Sequence, residues 1–121
     1  MSMPKSVDGQ PPPHLTSREK KALLGFTQRL HRDFPAEVRE VVLFGSKARG
    51  DFGPHSDVDV WVVTARDDWR LRDAIVGHAF DLLLEDGVFI SPRVVSAEHV
   101  RKLQRWHSPL LEEVRKDGVP L

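Results

Sequence analysis

The stretch that decides the fold is LFGSKARGDFGPHSDVDVWVV, residues 43–63. It begins and ends in apolar residues, which is typical of two short strands joined by a polar connection. The connection holds a Gly-Ser pair and two basic residues, and it leads into the sequence Asp57-Val58-Asp59. Two carboxylates this close need an explanation, because neighbouring negative charges repel each other and partial burial strengthens the repulsion.

The alternation around the aspartates predicts a strand with two different faces. Residues two apart on a strand point to the same side, so Asp57 and Asp59 stand together, about 7 Å apart at their Cα atoms. Val58 and Val60 then point into the core. A cation that bridges the two carboxylates would explain why the pair is kept. Both ligands are oxygen and the chain has no cysteine, which favours Mg²⁺ or Mn²⁺ over zinc.

The residues before the aspartates predict a phosphate-binding turn. Gly45 and Ser46 follow the first strand and open a short helix, and glycine there allows close approach of the backbone. The start of a helix offers N–H groups to an anion, and Lys47 and Arg49 add positive charge. Taken singly, Gly-Ser is an ordinary turn and Asp-Val-Asp a common surface pattern. Their order and spacing between two strands favour a nucleotide site.

The chain outside this stretch predicts alternating helices and strands. A capping box at Thr16 and Glu19 opens a helix whose apolar stripe runs from Leu23 to Phe34. Strands are expected near residues 39–45, 57–64 and 88–96, with a long helix over 67–87. Ser96 opens a further helix, and Ser108 with Pro109 opens a last one that ends near Gly118.

This order predicts an α/β (α+β) fold, with a small mixed sheet of three or slightly more strands flanked by helices. The strand at 57–64 should be central, and Pro92 indicates an edge position or a bulge in the third strand, which we expect nearer an edge. We expect one domain over residues 15–121, and residues 1–14, rich in proline, as a disordered N-terminal arm.

Composition narrows the classes of function. The chain has 121 residues, 40% of them hydrophobic, and a formal net charge of zero, so bulk attraction to membrane or nucleic acid is not expected. Residues 1–50 carry a net charge of +4 and residues 51–121 one of −4. This charge asymmetry fits either an ordinary solvated surface or an electrostatic field around the site that is positive on one side and negative on the other. Without cysteines, a signal peptide or a long apolar run, a cytoplasmic protein is expected.

The motif also resembles a known family. FGSKARGDFGPHSDVDVWVV is similar to the signature of the DNA polymerase β-like nucleotidyltransferase superfamily, and GSKARG…SDVDV resembles its minimal nucleotidyltransferase (MNT) group. The resemblance extends over residues 16–96. It implies two-metal transfer of a nucleotidyl group from an NTP, with ATP expected, to a hydroxyl. Asp57 and Asp59 match the catalytic metal ligands, Gly45 and Ser46 the triphosphate contacts, and Arg49 the basic residue.

One departure from the family pattern leaves two functions open. The resemblance implies a third carboxylate on a later strand, but the segment from Val88 to Val95 contains no acid, and Phe89 or Ser91 takes that place. Two-metal chemistry uses shared ligands to clamp both the attacking and the leaving oxygen. The chain is therefore either an active transferase or a catalytically degenerate module that binds nucleotide or protein.

The resemblance also suggests partners. MNT proteins pair with small helical HEPN proteins in toxin–antitoxin modules, which implies that this chain modifies or masks such a protein. A long nucleic acid is not expected, because there is no second domain and no stripe of basic and aromatic residues. Transfer to a small molecule is a weaker alternative, and a homo-oligomer remains open.

Other conspicuous side chains are interpreted as structural. His55 is expected to be a loop residue and His78 a core residue. Trp61 shares a face with Asp59, where core packing is favoured over stacking on a base. Trp69 and Trp106 are expected to pack as ordinary helix residues.

Overall fold

A computed structural model describes residues 14–50 and 57–121. The elements, in chain order, are α1 (Ser17–Asp33), β1 (Val38–Phe44), α2 (Ser46–Arg49), β2 (Val58–Thr64), α3 (Trp69–Asp86), β3 (Ile90–Ser96), α4 (Ala97–Arg105), α5 (Pro109–Asp117) and β4 (Val119–Pro120). None of the helices in this part of the chain is long and apolar enough to cross a membrane.

The strands form one mixed sheet in the order β3-β2-β1-β4. β1 pairs antiparallel with β2 and with β4, whereas β2 and β3 run parallel. The prediction that the second strand is central and the Pro92 strand lies at an edge is confirmed. The sheet has one strand more than the three identified in the sequence, because the two residues of β4 pair with Val42 and Leu43.

Local capping signals set the helix boundaries. The Thr16 side chain accepts a hydrogen bond from the Glu19 N–H, and the Glu19 carboxylate accepts one from the Thr16 N–H, so the predicted capping box is present. The Ser96 and Ser108 side chains cap α4 and α5 by accepting hydrogen bonds from the N–H groups of His99 and Leu111. Gly87 ends α3 in the left-handed conformation that favours glycine.

The sheet separates two apolar layers. One face of β1 and β2 packs under α1 and α3, and its main strand residues are Val41, Leu43, Val58, Val60 and Val62. The other face carries Val42, Phe44, Trp61 and Val63 under α4 and α5. Because side chains alternate between faces, Asp59 lies on the second face, beyond Trp61 and near the end of the sheet where β1 stops.

The packing prediction is confirmed for one tryptophan and wrong for the other two. Trp61 is buried and packs edge-on against Phe44, with ring centroids 6.2 Å apart, so core packing is confirmed. The prediction for Trp69 and Trp106 is wrong, since both are about two-thirds exposed. Trp69 is the first residue of α3 and Trp106 follows the last residue of α4, where neither side chain is directed at the sheet.

Candidate active site

The turn between β1 and α2 lies directly against the second strand. Gly45 has φ 76° and ψ −156°, a backbone region that is essentially restricted to glycine. A Cβ atom at this position would lie 2.6 Å from Asp59 Oδ2. The glycine therefore lets the backbone of the turn and the Asp59 carboxylate approach each other more closely than any other residue would allow.

The helix α2 that follows this turn is a single, well-defined turn of helix. The Gly45 carbonyl accepts hydrogen bonds from the N–H groups of Ala48 and Arg49, both at 3.1 Å. Gly50 ends the helix with φ 90°. Ser46, the first helical residue, is half-buried beside the turn. Gly45 is thus brought against Asp59, with Ser46 next to it in the chain, and the predicted contact of Gly45 and Ser46 with a triphosphate stays a prediction.

The two aspartates differ in their surroundings. Asp57 is exposed just before β2, whereas Asp59 is half-buried within it and pairs in register with Phe44. Burial raises the pKa of the Asp59 carboxyl above its usual range, and the negative charge of Asp57 raises it further, against the opposing charge of Arg93. The free chain therefore holds a carboxylate whose ionised form is disfavoured and would be stabilised by a cation.

The donor set of this site fits magnesium or manganese. Within residues 14–50 and 57–121, no group of three or more His, Cys, Asp or Glu side chains could hold a metal by itself. Mg²⁺ is typically held by one or two carboxylates together with substrate phosphates and water. Asp57 and Asp59 can supply the two carboxylates, and the adjacent turn can place the phosphates. The assignment of both as metal ligands remains a prediction.

Lys47 is buried and forms an ion pair with the start of α1. Its Nζ atom lies 2.9 Å from Glu19 Oε2, with the side chains 5% and 13% exposed. Burial by itself would raise the pKa of Glu19, but hydrogen bonds from the Thr16 backbone and from Lys47 lower it overall. The structure thus ties α2 to the start of α1 through Lys47, and the predicted contact between Lys47 and nucleotide stays untested.

We expect Glu19→Gln to destabilise the free chain by about 2 kcal/mol, because it removes the charge that faces a buried ammonium group. A carboxyl whose pKa is lowered by folding contributes stability above its unfolded pKa, near 4.3, and loses it as pH falls through the folded value. The difference in unfolding free energy between wild type and variant should therefore shrink below about pH 4. Urea melts of both proteins at several pH values measure this difference in unfolding free energy.

The control for this prediction is Glu37→Gln, which changes an acid for which no ion pair is present among the described residues. It should unfold like wild type. If Glu19→Gln leaves the unfolding free energy unchanged, the pair does not anchor α2. Nucleotide affinity of the folded variant should stay within about twofold if Lys47 has a structural role alone.

Arg49 is held by a residue that the sequence reasoning missed. Its guanidinium forms an ion pair with the Glu113 carboxylate on α5. Glu113 also helps to raise the pKa of Asp59, while Arg93 on β3 and Arg49 lower it. Both Glu113 and Arg93 therefore belong to the electrostatic surroundings of the site. Glu113 lies 64 positions from Arg49, and nothing in its local sequence marks it.

The third strand places a serine where the resemblance implies an acid. Ser91 pairs in register with Asp59, so the two side chains lie on the same face of neighbouring strands. The sequence left Phe89 and Ser91 as alternatives for this position, and the register favours Ser91. His55, which was interpreted as a loop residue, lies outside the described residues.

The sequence places this chain in a family of nucleotidyltransferase domains. The sequence pattern of the nucleotidyltransferase domain family matches residues 23–115, and the chain belongs to that family. A Methanocaldococcus jannaschii protein named "Putative protein adenylyltransferase MJ0604" is 35% identical over 99 residues, which cover 80% of this chain and 95% of that protein.

One solved structure agrees with the fold. The crystal structure of a protein named "putative nucleotidyltransferase" from Sulfolobus solfataricus superposes with a TM-score of 0.54 at 21% identity, covering 83% of this chain and 76% of that one. A mutant of the toxin–antitoxin MntA-HpeT superposes with a TM-score of 0.48 at 26% identity, over 78% and 68% of the two chains. The second score lies below the level that establishes a common fold.

Proposed function

We propose that this chain transfers AMP from ATP to a hydroxyl group of a partner protein, in a reaction that depends on Mg²⁺ or Mn²⁺. The observation that carries the proposal is the packing of Gly45 against the Asp59 carboxylate, which brings the proposed phosphate-binding turn next to the proposed metal ligand. The name of the 35% identical relative, which describes a protein adenylyltransferase, supports ATP as the donor and a protein as the acceptor.

Each residue of the site has a role in this reaction. Asp57 and Asp59 hold the divalent ion, which when bound supplies positive charge to the phosphates and to the leaving pyrophosphate. Ser46 and the backbone at Gly45 orient the β- and γ-phosphates, and Arg49 adds a cation. The acceptor oxygen forms a bond to the α-phosphorus, the α–β phosphoanhydride bond breaks, pyrophosphate leaves, and the hydroxyl proton passes to solvent.

The biological setting we propose is an antitoxin of the MNT type, acting in the cytoplasm on a small helical partner of the HEPN type. A second candidate is a catalytically degenerate module that binds nucleotide and masks such a partner without modifying it. The observation that favours the second candidate is Ser91, which stands beside Asp59 where the family resemblance implies a carboxylate.

Mg²⁺ and ATP together should stabilise the folded chain. At a ligand concentration tenfold above the dissociation constant, mass action adds about 1.4 kcal/mol, or about 5 °C in Tm for a chain of this size. Either component alone should shift Tm less, because Asp57 and Asp59 would hold the ion together with the phosphates of the nucleotide. Thermal melts and calorimetry with ATP, CTP, GTP and UTP measure this, and a flat response at millimolar Mg²⁺–NTP would overturn the proposal.

Transfer itself is tested with α-labelled nucleotides, Mg²⁺ and the protein encoded by the neighbouring gene. Label on the partner, with pyrophosphate released in equal amount, supports the transferase. Metal-dependent nucleotide binding that requires both aspartates but gives no label on the partner would favour the degenerate module instead.

A further inference from the structure

The helix α3 is apolar on its outward side as well as on the side that faces the core. Val76, Phe80 and Leu84 follow one another at intervals of four and are 45%, 57% and 70% exposed, so they form a row along the surface. Phe89, 53% exposed just before β3, extends this row. We call these four residues the outer α3 surface. This row gives α3 a second apolar stripe besides the one that faces the core, as is typical of a helix that another element covers on that side.

A groove lies between this surface and the edge of the sheet. It encloses about 270 Å³ and is lined by α3 together with the start of β3, including Phe89, Ser91 and Pro92. β3 is the edge strand, so no further strand covers this side of the groove in the part of the chain that the structure describes. The surface and the groove form one continuous apolar area.

A glycine in the middle of α3 lies beside this row. Asp73, Gly77 and Asp81 form the neighbouring row of the helix, again at intervals of four. A Cβ atom on Gly77 would meet no atom within 4 Å, so no contact within the described structure explains the glycine. Glycine within a helix lowers its stability relative to alanine. A small residue at this position lets the backbone of a docked helix come close.

The charges around the outer α3 surface are acidic. After Arg72, the helix contains four acids and no Lys or Arg. Two of the acids, Glu85 and Asp86, pair with Arg29 and Lys21 of α1. Asp73 and Asp81 form no ion pair with any other described residue, although the charge of Asp81 helps to raise the pKa of Arg29. Both acids lie in the row next to the apolar row. The surface therefore complements a partner with Lys or Arg beside an apolar stripe.

The same charges oppose a second copy of this chain as the occupant. A symmetric dimer places identical patches face to face, so two outer α3 surfaces would bring the acids of both copies together. Like charges in apposition are unfavourable at an interface. The charge pattern thus favours a different, basic molecule.

We propose that the outer α3 surface docks an amphipathic helix of the acceptor protein, apolar on one side and basic along its flank. That the docked protein is the acceptor rests on the proposed function. Gly45 lies on the β1 side of Asp59, where the proposed function puts the phosphates, and Ser91 lies on the β3 side and also lines the groove. Attacking and leaving oxygens lie on opposite sides of the transferred phosphorus, so the acceptor approaches from the β3 side.

The probe is a fluorescein-labelled peptide of about 18 residues, with leucines at helical spacing and lysines on both flanks. The control probe is the same peptide with glutamate in place of every lysine. In fluorescence anisotropy with the full chain, the lysine peptide should bind at least about tenfold more tightly than the glutamate peptide, and more weakly as salt rises.

Three variants test the surface. Phe80→Gln should weaken binding of the lysine peptide about tenfold, and Asp73→Lys with Asp81→Lys should weaken it by a similar factor. Gly77→Gln should raise the Tm of the free chain and yet weaken binding of the lysine peptide. A glycine with a merely structural role would not give this combination. The matched control is Glu98→Lys with Glu112→Lys, two exposed acids on other helices, which should bind like wild type.

The proposal is overturned if both peptides bind equally, if neither binds, or if the control variant loses binding as the α3 variants do. It is also overturned if the wild-type chain is a dimer that Phe80→Gln converts to a monomer, since the occupant is then a second copy. Binding of Mg²⁺–ATP is measured on the same samples. If Mg²⁺–ATP does not bind, the proposed function is wrong. Peptide binding would then still test the outer α3 surface separately.

Discussion

Asp59→Asn should abolish nucleotidyl transfer while leaving the free chain at least as stable as wild type. The substitution keeps the shape of the side chain and removes the charge that would hold the metal ion. Loss of several kcal/mol of transition-state stabilisation corresponds to at least about a hundredfold loss of rate. Asp57→Asn should have the same kind of effect, and binding of Mg²⁺–ATP should be lost with both variants.

The stability of the Asp59 variant follows from its pKa. Burial and the charge of Asp57 raise that pKa in the folded chain. An acid of this kind weakens the fold as pH rises through its unfolded and then its folded pKa, because the folded state binds the proton more tightly. Asparagine removes this effect, so the variant should be equal to wild type at about pH 3 and the more stable of the two near pH 7.

Thermal melts across this pH range, with and without Mg²⁺–ATP, measure both parts of the prediction. Glu112→Gln, an exposed acid on α5, is the control that should change neither activity nor stability. A loss of more than about 1 kcal/mol in the free Asp59 variant, with nucleotide binding intact, would mean that the carboxylate is structural.

The parts of the fold that the sequence predicted correctly are those determined by neighbouring residues. The capping box at Thr16, the serine caps of α4 and α5, and Gly87 each depend on hydrogen bonds within one helical turn. Helix and strand order followed from apolar periodicity for the same reason. Strand β4 was missed because two residues have no periodicity. It exists through long-range contacts, such as the hydrogen bond from the Leu121 N–H to the Val41 carbonyl.

The site was predictable in its residue types but not in its contacts. Lys47 and Arg49 look equivalent in the sequence, yet they leave α2 in different directions. Lys47 reaches Glu19 on α1, whereas Arg49 reaches Glu113 on α5. Which carboxylate each cation meets depends on how two distant helices pack on opposite faces of the sheet, and no local pattern encodes that. The exposure of Trp69 and Trp106 has a similar origin, since both stand at helix ends where the periodic face is least defined.

The closeness of the turn to the aspartate rests on one glycine, and Gly45→Ala tests it. A non-glycine residue at φ 76° and ψ −156° is strained by about 1–3 kcal/mol. The added Cβ would also stand 2.6 Å from Asp59 Oδ2 and 3.4 Å from Asp59 Cγ. The short aspartate side chain can relieve this contact only by moving its carboxylate away from the turn, which displaces the predicted metal ligand.

We therefore expect Gly45→Ala to lower the unfolding free energy by about 2 kcal/mol and Tm by about 8 °C, and to lose the stabilisation that Mg²⁺–ATP gives to wild type. Gly77→Ala is the matched control. Its Cβ would enter open space within a helix, so the same substitution should raise the unfolding free energy by about 0.5–1 kcal/mol and leave nucleotide binding unchanged. Urea melts and calorimetry on both variants distinguish strain at the turn from any general effect of replacing glycine with alanine. If Gly45→Ala folds and binds nucleotide as wild type does, the close packing of turn and carboxylate is not what builds the site.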